Sequence, residues 1–280
     1  MSDPKYRFIL QADANRVISP EVATVIEAAK FSNWYESTAS FLGSNGKFRD
    51  GKYRLSIVTL ENVKSLATVQ PRLVEEDIPV GSIQFVEAFL SVRYGIERLT
   101  PIFIPKEIPA NRKTAIVIGR AGVLEFMEQN RLDSVFVKTA ARVKGDYASI
   151  ASREDVERGE DCPYACDEPL FVSEVIDILS EWRVFVKRGR IVDVRCYSGD
   201  PWLLPDRSTV EQMVAAYHDA SPTSYTLDVA VVKPTDNAPL QTNIVEVHNF
   251  ISCGFYGFST PRDVLTMIVD GIHWELRQHS

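Results

Sequence analysis

The sequence predicts an α/β domain followed by a region in which strands pair directly with one another. In the first half, short apolar runs alternate with segments whose apolar residues recur at helical spacing. After Gly122 the apolar runs come in pairs, with turn residues between them. The composition is that of an ordinary globular protein, with 45% hydrophobic and 25% charged residues among 280. A chain of this length can bury one large core or two smaller ones.

Capping residues locate the helices. Ser19 and Pro20 supply an N-cap and a first-turn proline ahead of an apolar helical stripe. Ser82 precedes a second helical pattern over residues 83–93, and Ser152 opens a third with a capping-box sequence. The strands predicted in the first half are residues 6–11, 53–59 and 114–118. The strand segments predicted in the second half are residues 135–138, 171–175, 181–186, 190–196, 225–228 and 245–249.

Charge, hydropathy and cysteine usage exclude several functions. A formal net charge of −7 argues against nucleic acid as the principal partner, because phosphate neutralisation needs a basic surface. No apolar run is long enough for a bilayer, and the N-terminus lacks a signal-peptide core, so we expect a cytoplasmic protein without a membrane partner. Four cysteines without paired metal-ligand spacing predict reduced thiols rather than zinc. The sequence leaves the oligomeric state open.

A strand pair around Lys187-Arg188-Gly189 concentrates charge on one face. A three-residue turn ending in Gly189 pairs Glu181 with Arg195 and Arg183 with Asp193, leaving the other face apolar. We predict this register, because a one-residue slip would bury charge. The charged face suits either a solvated surface with weak ion pairs or a grip on phosphate and carboxylate oxygens. The charged residues on neighbouring strands favour the second interpretation.

Two acids lie on the next pair of strands. Antiparallel pairing across the polar loop between them sets Asp228 opposite Glu246. Carboxylates that close repel one another unless a cation lies between them, and Mg²⁺ is the expected occupant. The alternative is that each acid forms its own salt bridge at a strand end. His248 shares a face with Glu246, and Asn249 points to the opposite face.

Lys138 ends the buried strand of residues 135–138, and a small polar segment with Lys144 follows it. No Gly-x-x-x-x-Gly-Lys-Ser/Thr motif is present, so a P-loop is not predicted. The order of these segments, from the lysine strand to the acidic pair, resembles the ATP-grasp superfamily and within it the clade named for two arginines and a lysine. The resemblance covers roughly residues 120–258.

The resemblance implies an ATP-grasp fold with an N-terminal α/β (pre-ATP-grasp) domain over residues 1–120 and an ATP-grasp domain over residues 121–280. Within the latter, two α+β lobes, about 121–176 and 177–280, would clamp the nucleotide. The implied ATP-binding residues are Lys138 and Lys144 at the phosphates, Glu174 and Val175 at the adenine, and Glu181 at the ribose.

The resemblance also implies that Asp228 and Glu246 hold Mg²⁺. Family members have Glu-x-Asn at the second acid, whereas this chain has His248 two residues after the glutamate and Asn249 one residue later. Alternation favours His248 in the site, although imidazole is a poor magnesium ligand, and a bulge could bring Asn249 round instead. His248 could also act on the substrate as a base or hydrogen-bond donor.

The implied activity is an ATP-dependent carboxylate–amine ligase that forms an amide or peptide bond through an acyl phosphate. Lys138, Arg183 and Arg195 would stabilise charge on the transferring group. The alternatives are another ATP- and Mg²⁺-dependent phosphoryl- or nucleotidyl-transferring enzyme, and a nucleotide-binding module that has lost turnover. The carboxylate and amine substrates, small molecules or peptides, are not identified by the sequence.

Overall fold

The structure, a computed structural model, describes residues 5–43, 52–67, 75–141, 143, 147–159, 164, 168–235 and 237–280. The chain divides into two compact units. The first comprises Met1–Leu99, Pro222–Tyr225 and Asn249–Ser280, and the second comprises Thr100–Ser221 and Thr226–His248. None of the helices in the described part combines the length and the hydropathy that a bilayer crossing requires.

The strands are β1 Lys5–Ala12, β2 Tyr53–Thr59, β3 Glu75–Val80, β4 Thr114–Ile118, β5 Ser134–Thr139, β6 Ala148–Ser152, β7 Pro169–Glu174, β8 Ile178–Lys187, β9 Arg190–Gly199, β10 Ser224–Val232 and β11 Gln241–Asn249. The helices are α1 Pro20–Gly43, α2 Leu60–Ala67, α3 Ile83–Tyr94, α4 Gly119–Asn130, α5 Arg153–Arg158, α6 Arg207–Tyr217 and α7 Pro261–Gln278. A short 3-10 helix, Phe250–Ser252, follows β11.

A parallel sheet in the order β2-β1-β3 forms the centre of the first unit. The capping predictions are confirmed here, since the Ser19 hydroxyl accepts from the backbone N–H of Val22 at 3.2 Å and the Ser82 hydroxyl accepts from that of Phe85 at 3.2 Å. Helices connect the parallel strands, as such crossovers require. The predicted strands at residues 6–11 and 53–59 are confirmed as β1 and β2.

The second unit contains two antiparallel sheets. The first has the order β4-β7-β5-β6 and packs its apolar side chains against α4 and α5. The Ser152 capping box at the start of α5 is confirmed. The strand predicted at residues 114–118 is confirmed as β4, but it pairs with β7 and not with the strands that precede it. The domain boundaries inferred from the sequence stay a prediction.

The second sheet has the order β11-β10-β8-β9, and β10 is buried along its whole length. The predicted hairpin register is wrong: Arg183 lies opposite Arg195, Phe185 opposite Asp193, and Glu181 opposite Ser198. The turn has two residues, Arg188 and Gly189, with φ of 51° and 69°, the left-handed values that a type I′ turn requires. Register shifts between Phe185 and Val186 and between Glu181 and Trp182 keep the arginines on one face, which a regular two-residue hairpin would not do.

Candidate functional site

A buried ion pair anchors the site on the central strands of the second sheet. The Arg183 guanidinium on β8 donates from Nε to Oδ1 of Asp228 at 2.8 Å and from Nη2 to Oδ2 at 2.6 Å. Both side chains are almost fully buried. Two parallel hydrogen bonds between planar groups make this one of the strongest ion-pair geometries available to side chains. Asp228 and Arg183, both predicted as site residues, therefore contact each other.

Glu246 on β11 lies beside this pair and binds two cations. The Lys138 ammonium on β5 contacts Glu246 Oε1, and His248 Nε2 lies 3.0 Å from Glu246 Oε2. His248 Nε2 is also 3.7 Å from Oδ2 of Asp228. Ligand atoms of Asp228, Glu246 and His248 all lie within 4.8 Å of one another. The structure therefore brings together four of the predicted site residues, from the lysine strand and from the acidic pair.

The electrostatics of this cluster favour its charged forms. Burial opposes ionisation of Asp228, but hydrogen bonds and attraction from Arg183 and His248 outweigh it and lower the pKa. Burial likewise opposes the charge on Glu246, and contacts with His248 and Lys138 lower its pKa to about 2. Burial alone would lower the pKa of His248, but the two carboxylates raise it above its usual value. His248 thus holds a proton between the acids and acts as a hydrogen-bond donor there.

Tyr197 extends the cluster and was not predicted from the sequence. Its hydroxyl donates to Glu181 Oε1 at 3.1 Å and lies 3.4 Å from Asp228 Oδ2, while its ring faces Arg183 with the guanidinium carbon 5.6 Å from the centroid. Burial and the two carboxylates raise the pKa of Tyr197, so the hydroxyl stays a donor. Alternation along β9 from Asp193 and Arg195 was the signal that could have identified it.

Arg195 makes separate contacts. Its guanidinium donates from Nε and Nη2 to Oδ2 of Asp193 on the same strand, at 2.9 and 2.7 Å, and its side chain is 42% exposed. Arg183 and Arg195 are direct cross-strand partners, an arrangement that is unfavourable for like charges. Each arginine has its own aspartate, and this offsets the repulsion.

The remaining predicted residues lie elsewhere. Glu174 Oε2 at the end of β7 accepts from the backbone N–H of Lys113 at 3.2 Å, and Val175 beside it is exposed. The Asn249 side chain donates to the Gly271 carbonyl at 3.1 Å and caps the 3-10 helix that follows β11. Lys144 lies outside the described residues. Of the two candidates for the third metal ligand, His248 is the one among the carboxylates.

The donor set is chemically suited to a divalent cation. Asp228 and Glu246 offer the carboxylate oxygens that Mg²⁺ prefers, and His248 adds a nitrogen that this ion binds weakly. Each carboxylate is already paired with a cationic side chain, Arg183 or Lys138, so the repulsion between the two acids is neutralised. The residues present therefore fit a magnesium ion, provided that the cationic partners move or share their acids.

Several solved structures have a similar fold. D-cycloserine synthetase DcsG is similar over 96% of this chain and 99% of its own, with a TM-score of 0.57 and 11% identity. D-alanine–D-alanine ligase from Bacillus anthracis, solved with ATP, is similar over 99% of this chain and 100% of its own, with a TM-score of 0.52 and 13% identity. Macrocyclase MdnC from Microcystis aeruginosa MRC, bound to precursor peptide MdnA, is similar over 95% of this chain and 98% of its own, with a TM-score of 0.50 and 13% identity.

At these identities the similarity is one of fold. No curated protein matches the sequence of this chain. A sequence family does match: the ATP-grasp domain of family 2 in the clade named for two arginines and a lysine covers residues 113–267, more than half of the chain. The protein belongs to this clade of the ATP-grasp superfamily and has the ATP-grasp fold.

Proposed function

We propose that the protein is an ATP- and Mg²⁺-dependent carboxylate–amine ligase that forms an amide or peptide bond. The observation that carries this proposal is the continuous run of contacts from Lys138 through Glu246 and His248 to Asp228 and Arg183. It combines two carboxylates for a cation with two cations for phosphate, within a fold whose name refers to ATP binding.

Asp228 and Glu246 would hold Mg²⁺, with His248 or Asn249 completing the site. The ion would supply neutralisation of phosphate charge. In the nucleotide-free protein Lys138 and Arg183 are paired with these same acids. We infer that the arrival of the nucleotide exchanges partners: the cationic side chains turn toward phosphate oxygens and release carboxylate oxygens. The exchange conserves charge within the cluster, which limits the cost of desolvating either component alone.

The proposed reaction has two steps. An oxygen of the substrate carboxylate attacks the γ-phosphorus of ATP, the bond from that phosphorus to ADP breaks, and an acyl phosphate forms. The nitrogen of the amine then attacks the acyl carbon, the carbon–oxygen bond to phosphate breaks, and the departing phosphate takes the amine proton. Lys138, Arg183 and Arg195 would stabilise negative charge on the transferring group, since fixed cations in a buried site need little reorganisation.

Other residues would position the nucleotide. Glu174 and Val175 are proposed to line the adenine pocket, and Glu181 is proposed to bind ribose hydroxyls. The Tyr197 hydroxyl already occupies Glu181 Oε1, so ribose binding would use the second carboxylate oxygen or displace the tyrosine. Lys144 is proposed to cover the phosphates from the loop that carries it.

The acceptor class is open between small molecules and peptides. The structural neighbours include a D-alanine–D-alanine ligase and a macrocyclase bound to a precursor peptide. We propose that this chain likewise uses a carboxylate and an amine, without assigning either.

One observation favours a second candidate, a nucleotide-binding module without turnover. The position that carries the asparagine of Glu-x-Asn is His248, whose proton lies between the two acids. A protonated imidazole there competes with a metal ion for the same oxygens. Measurement of ADP release separates the two candidates, because only the ligase consumes ATP.

Binding is tested first, by thermal unfolding and calorimetry with Mg-ATP. A ligand present at 100 times its dissociation constant stabilises the folded state by about 2.7 kcal/mol, so a clear rise in Tm is expected. Turnover is tested with mixtures of amino acids and peptides, with hydroxylamine as a general amine. A hydroxamate together with ADP would identify the activated carboxylate.

Glu246→Gln and Glu76→Gln form a matched pair for both assays. Each removes one acidic charge that contacts a histidine, at His248 and at His273 respectively. Only Glu246→Gln should lose turnover. No Tm shift and no heat of binding with Mg-ATP in the wild-type protein would overturn the proposal. Binding without ADP release across the substrate mixtures would support the module that lacks turnover.

A further inference from the structure

Arg112 contacts both sheets of the second unit from a position just before β4. Its Nη2 donates to the carbonyl of Val245 on β11 at 2.9 Å, and its Nη1 lies 3.4 Å from the hydroxyl of Ser173 on β7. Val245 is adjacent in sequence to Glu246, and Ser173 is adjacent to Glu174. The guanidinium therefore lies between backbone segments that carry two proposed ligand-binding residues.

The charge of Arg112 is not matched by a directly bound acid. Its contacts within the described ranges are a carbonyl, a hydroxyl and an aromatic ring, and its Nε is buried without a hydrogen-bond partner there. Burial lowers the pKa of Arg112, while attraction from Glu246 and Glu174 opposes this shift. A buried N–H that lacks an acceptor costs on the order of 1–3 kcal/mol, so such a group marks a position where an acceptor is expected.

The same aromatic ring lies beneath two cations. The guanidinium carbon of Arg112 is 6.0 Å from the centroid of Phe171, and Nζ of Lys138 is 5.3 Å from it. Phe171 is buried, and its ring attracts both charges weakly. Two cations held over one ring repel each other, and the repulsion is relieved when an anion binds both. Lys138 has Glu246 for this purpose, whereas the unused Nε–H of Arg112 remains available.

We propose that Arg112 is a further nucleotide-binding residue, which donates its Nε–H to an anionic phosphate oxygen of ATP beside Lys138. This inference rests on the proposed function, because it places the phosphates at the Lys138–Glu246 contact. Arg112 lies one residue before the part of the chain that matches the family, at residues 113–267. Arginine suits the position better than lysine, since its fork can keep the Val245 and Ser173 contacts while a third N–H binds the ligand.

Calorimetry on Arg112→Met, Arg112→Lys and Lys113→Met tests the proposal. The neighbouring Lys113 is exposed and donates from Nζ to the Asn130 carbonyl at 3.2 Å, so its loss controls for a general change in charge. We measure dissociation constants for Mg-ATP and for adenosine. Both Arg112 variants should weaken Mg-ATP binding about 10- to 100-fold, the usual contribution of a hydrogen bond to a charged group, with adenosine binding unchanged. Lys113→Met should bind both ligands as the wild-type protein does.

Equal loss of Mg-ATP and adenosine binding would mean that Arg112 only supports the strands, and unchanged Mg-ATP binding would mean that it does not contact phosphate. Either result overturns this inference and leaves the proposed function standing. If the Met variant does not fold, a crystal structure of the wild-type protein with Mg²⁺ and a non-hydrolysable ATP analogue decides. Arg112 Nε should then lie within about 3.2 Å of a phosphate oxygen, and a separation well beyond hydrogen-bond distance overturns the inference. Failure of the wild-type protein to bind Mg-ATP would overturn the proposed function and this inference together.

Discussion

Two arginine–aspartate pairs, one in each compact unit, have nearly the same geometry and different surroundings. Arg7 donates from Nε and Nη2 to the two oxygens of Asp77, both at 2.7 Å, and Arg183 contacts Asp228 at 2.8 and 2.6 Å. Arg7 and Asp77 are register partners on the parallel strands β1 and β3, and the Arg7 side chain is 22% exposed. Arg183 is 6% exposed.

The neighbours of the two aspartates differ more than the pairs themselves. Asp228 Oδ2 lies 3.4 Å from the Tyr197 hydroxyl and 3.7 Å from His248 Nε2, and His248 reaches a second acid, Glu246. Several cations and acids are thus within reach of one another, and partners can exchange without leaving a charge unpaired. The difference teaches that a bidentate ion pair is not a functional signal by itself. What distinguishes Asp228 is the surplus of acids and cations around it.

The largest expected difference between the two pairs concerns stability. Asp228→Ala should lower the free energy of unfolding by about 3–5 kcal/mol, because it leaves Arg183 buried without its main partner. Asp77→Ala should cost less, since Arg7 can reach water. Chemical denaturation followed by circular dichroism measures both. A smaller loss for Asp228→Ala than for Asp77→Ala would show that Glu246 or Glu181 takes over as the partner of Arg183.

Turnover should separate the pairs more cleanly than stability. Asp228→Asn keeps the shape of the side chain and removes the charge, so ADP release should fall on the order of 10²- to 10³-fold, as for the loss of other groups that stabilise transferring charge. Asp77→Asn should leave the rate per folded molecule unchanged. Equal rates for the two variants would contradict the proposed metal role of Asp228.

Arg195 sharpens the comparison, because its acid lies on its own strand and its side chain is partly exposed. Arg195→Lys keeps the charge and loses the planar fork. We expect turnover to fall about tenfold while the dissociation constant of Mg-ATP stays the same, the pattern of an interaction made mainly in the transition state. Steady-state kinetics and calorimetry measure the two quantities. An unchanged turnover on the true substrate would exclude Arg195 from the reaction.

The smallest effect is expected in the first unit, at His273 on α7. Its Nε2 lies 2.6 Å from Glu76 Oε1, and this hydrogen bond raises the pKa of His273, with burial opposing the shift. A histidine with a raised pKa stabilises the fold below its unfolded value of about 6.5, and the contribution disappears as pH rises through the folded value.

Asp270 adds to the attraction on His273, and Arg277 opposes it. Both partners of the His273–Glu76 pair are about one third exposed, so solvent screening keeps the contribution to about 1 kcal/mol or less. The difference in unfolding free energy between the wild-type protein and His273→Gln should therefore shrink as pH rises above neutral. A difference that is constant with pH, measured by urea denaturation, would contradict this prediction.

The elements were predictable where local chemistry decides them. Strands β1, β2 and β4 and the caps of α1, α3 and α5 follow from apolar runs and from hydroxyl residues at helix starts. The pairing partner of β4 was not predictable from position in the sequence, because it joins β7, more than 50 residues further along the chain. Pairing between distant strands depends on packing of the whole sheet.

The site was predicted in its members more than in its contacts. Alternation placed Arg183 with Arg195 on one face of the hairpin and His248 with Glu246 on one face of β11, and the structure agrees. The hairpin register was wrong because Arg188 adopts a positive φ that a two-residue turn requires and that glycine usually provides. Two shifts along the strands then restored the face.

By itself, the sequence determined the family, the order of the strands and the list of charged residues, since these depend on residue types and short-range spacing. Only the tertiary structure decided which charges are partners: Arg183 with Asp228, Lys138 with Glu246, and His248 between the two acids. It also placed Tyr197 and Arg112, which no motif marks, against the same cluster. The reason is physical: an ion pair forms according to distance and burial in three dimensions, and neither quantity is encoded by position along the chain.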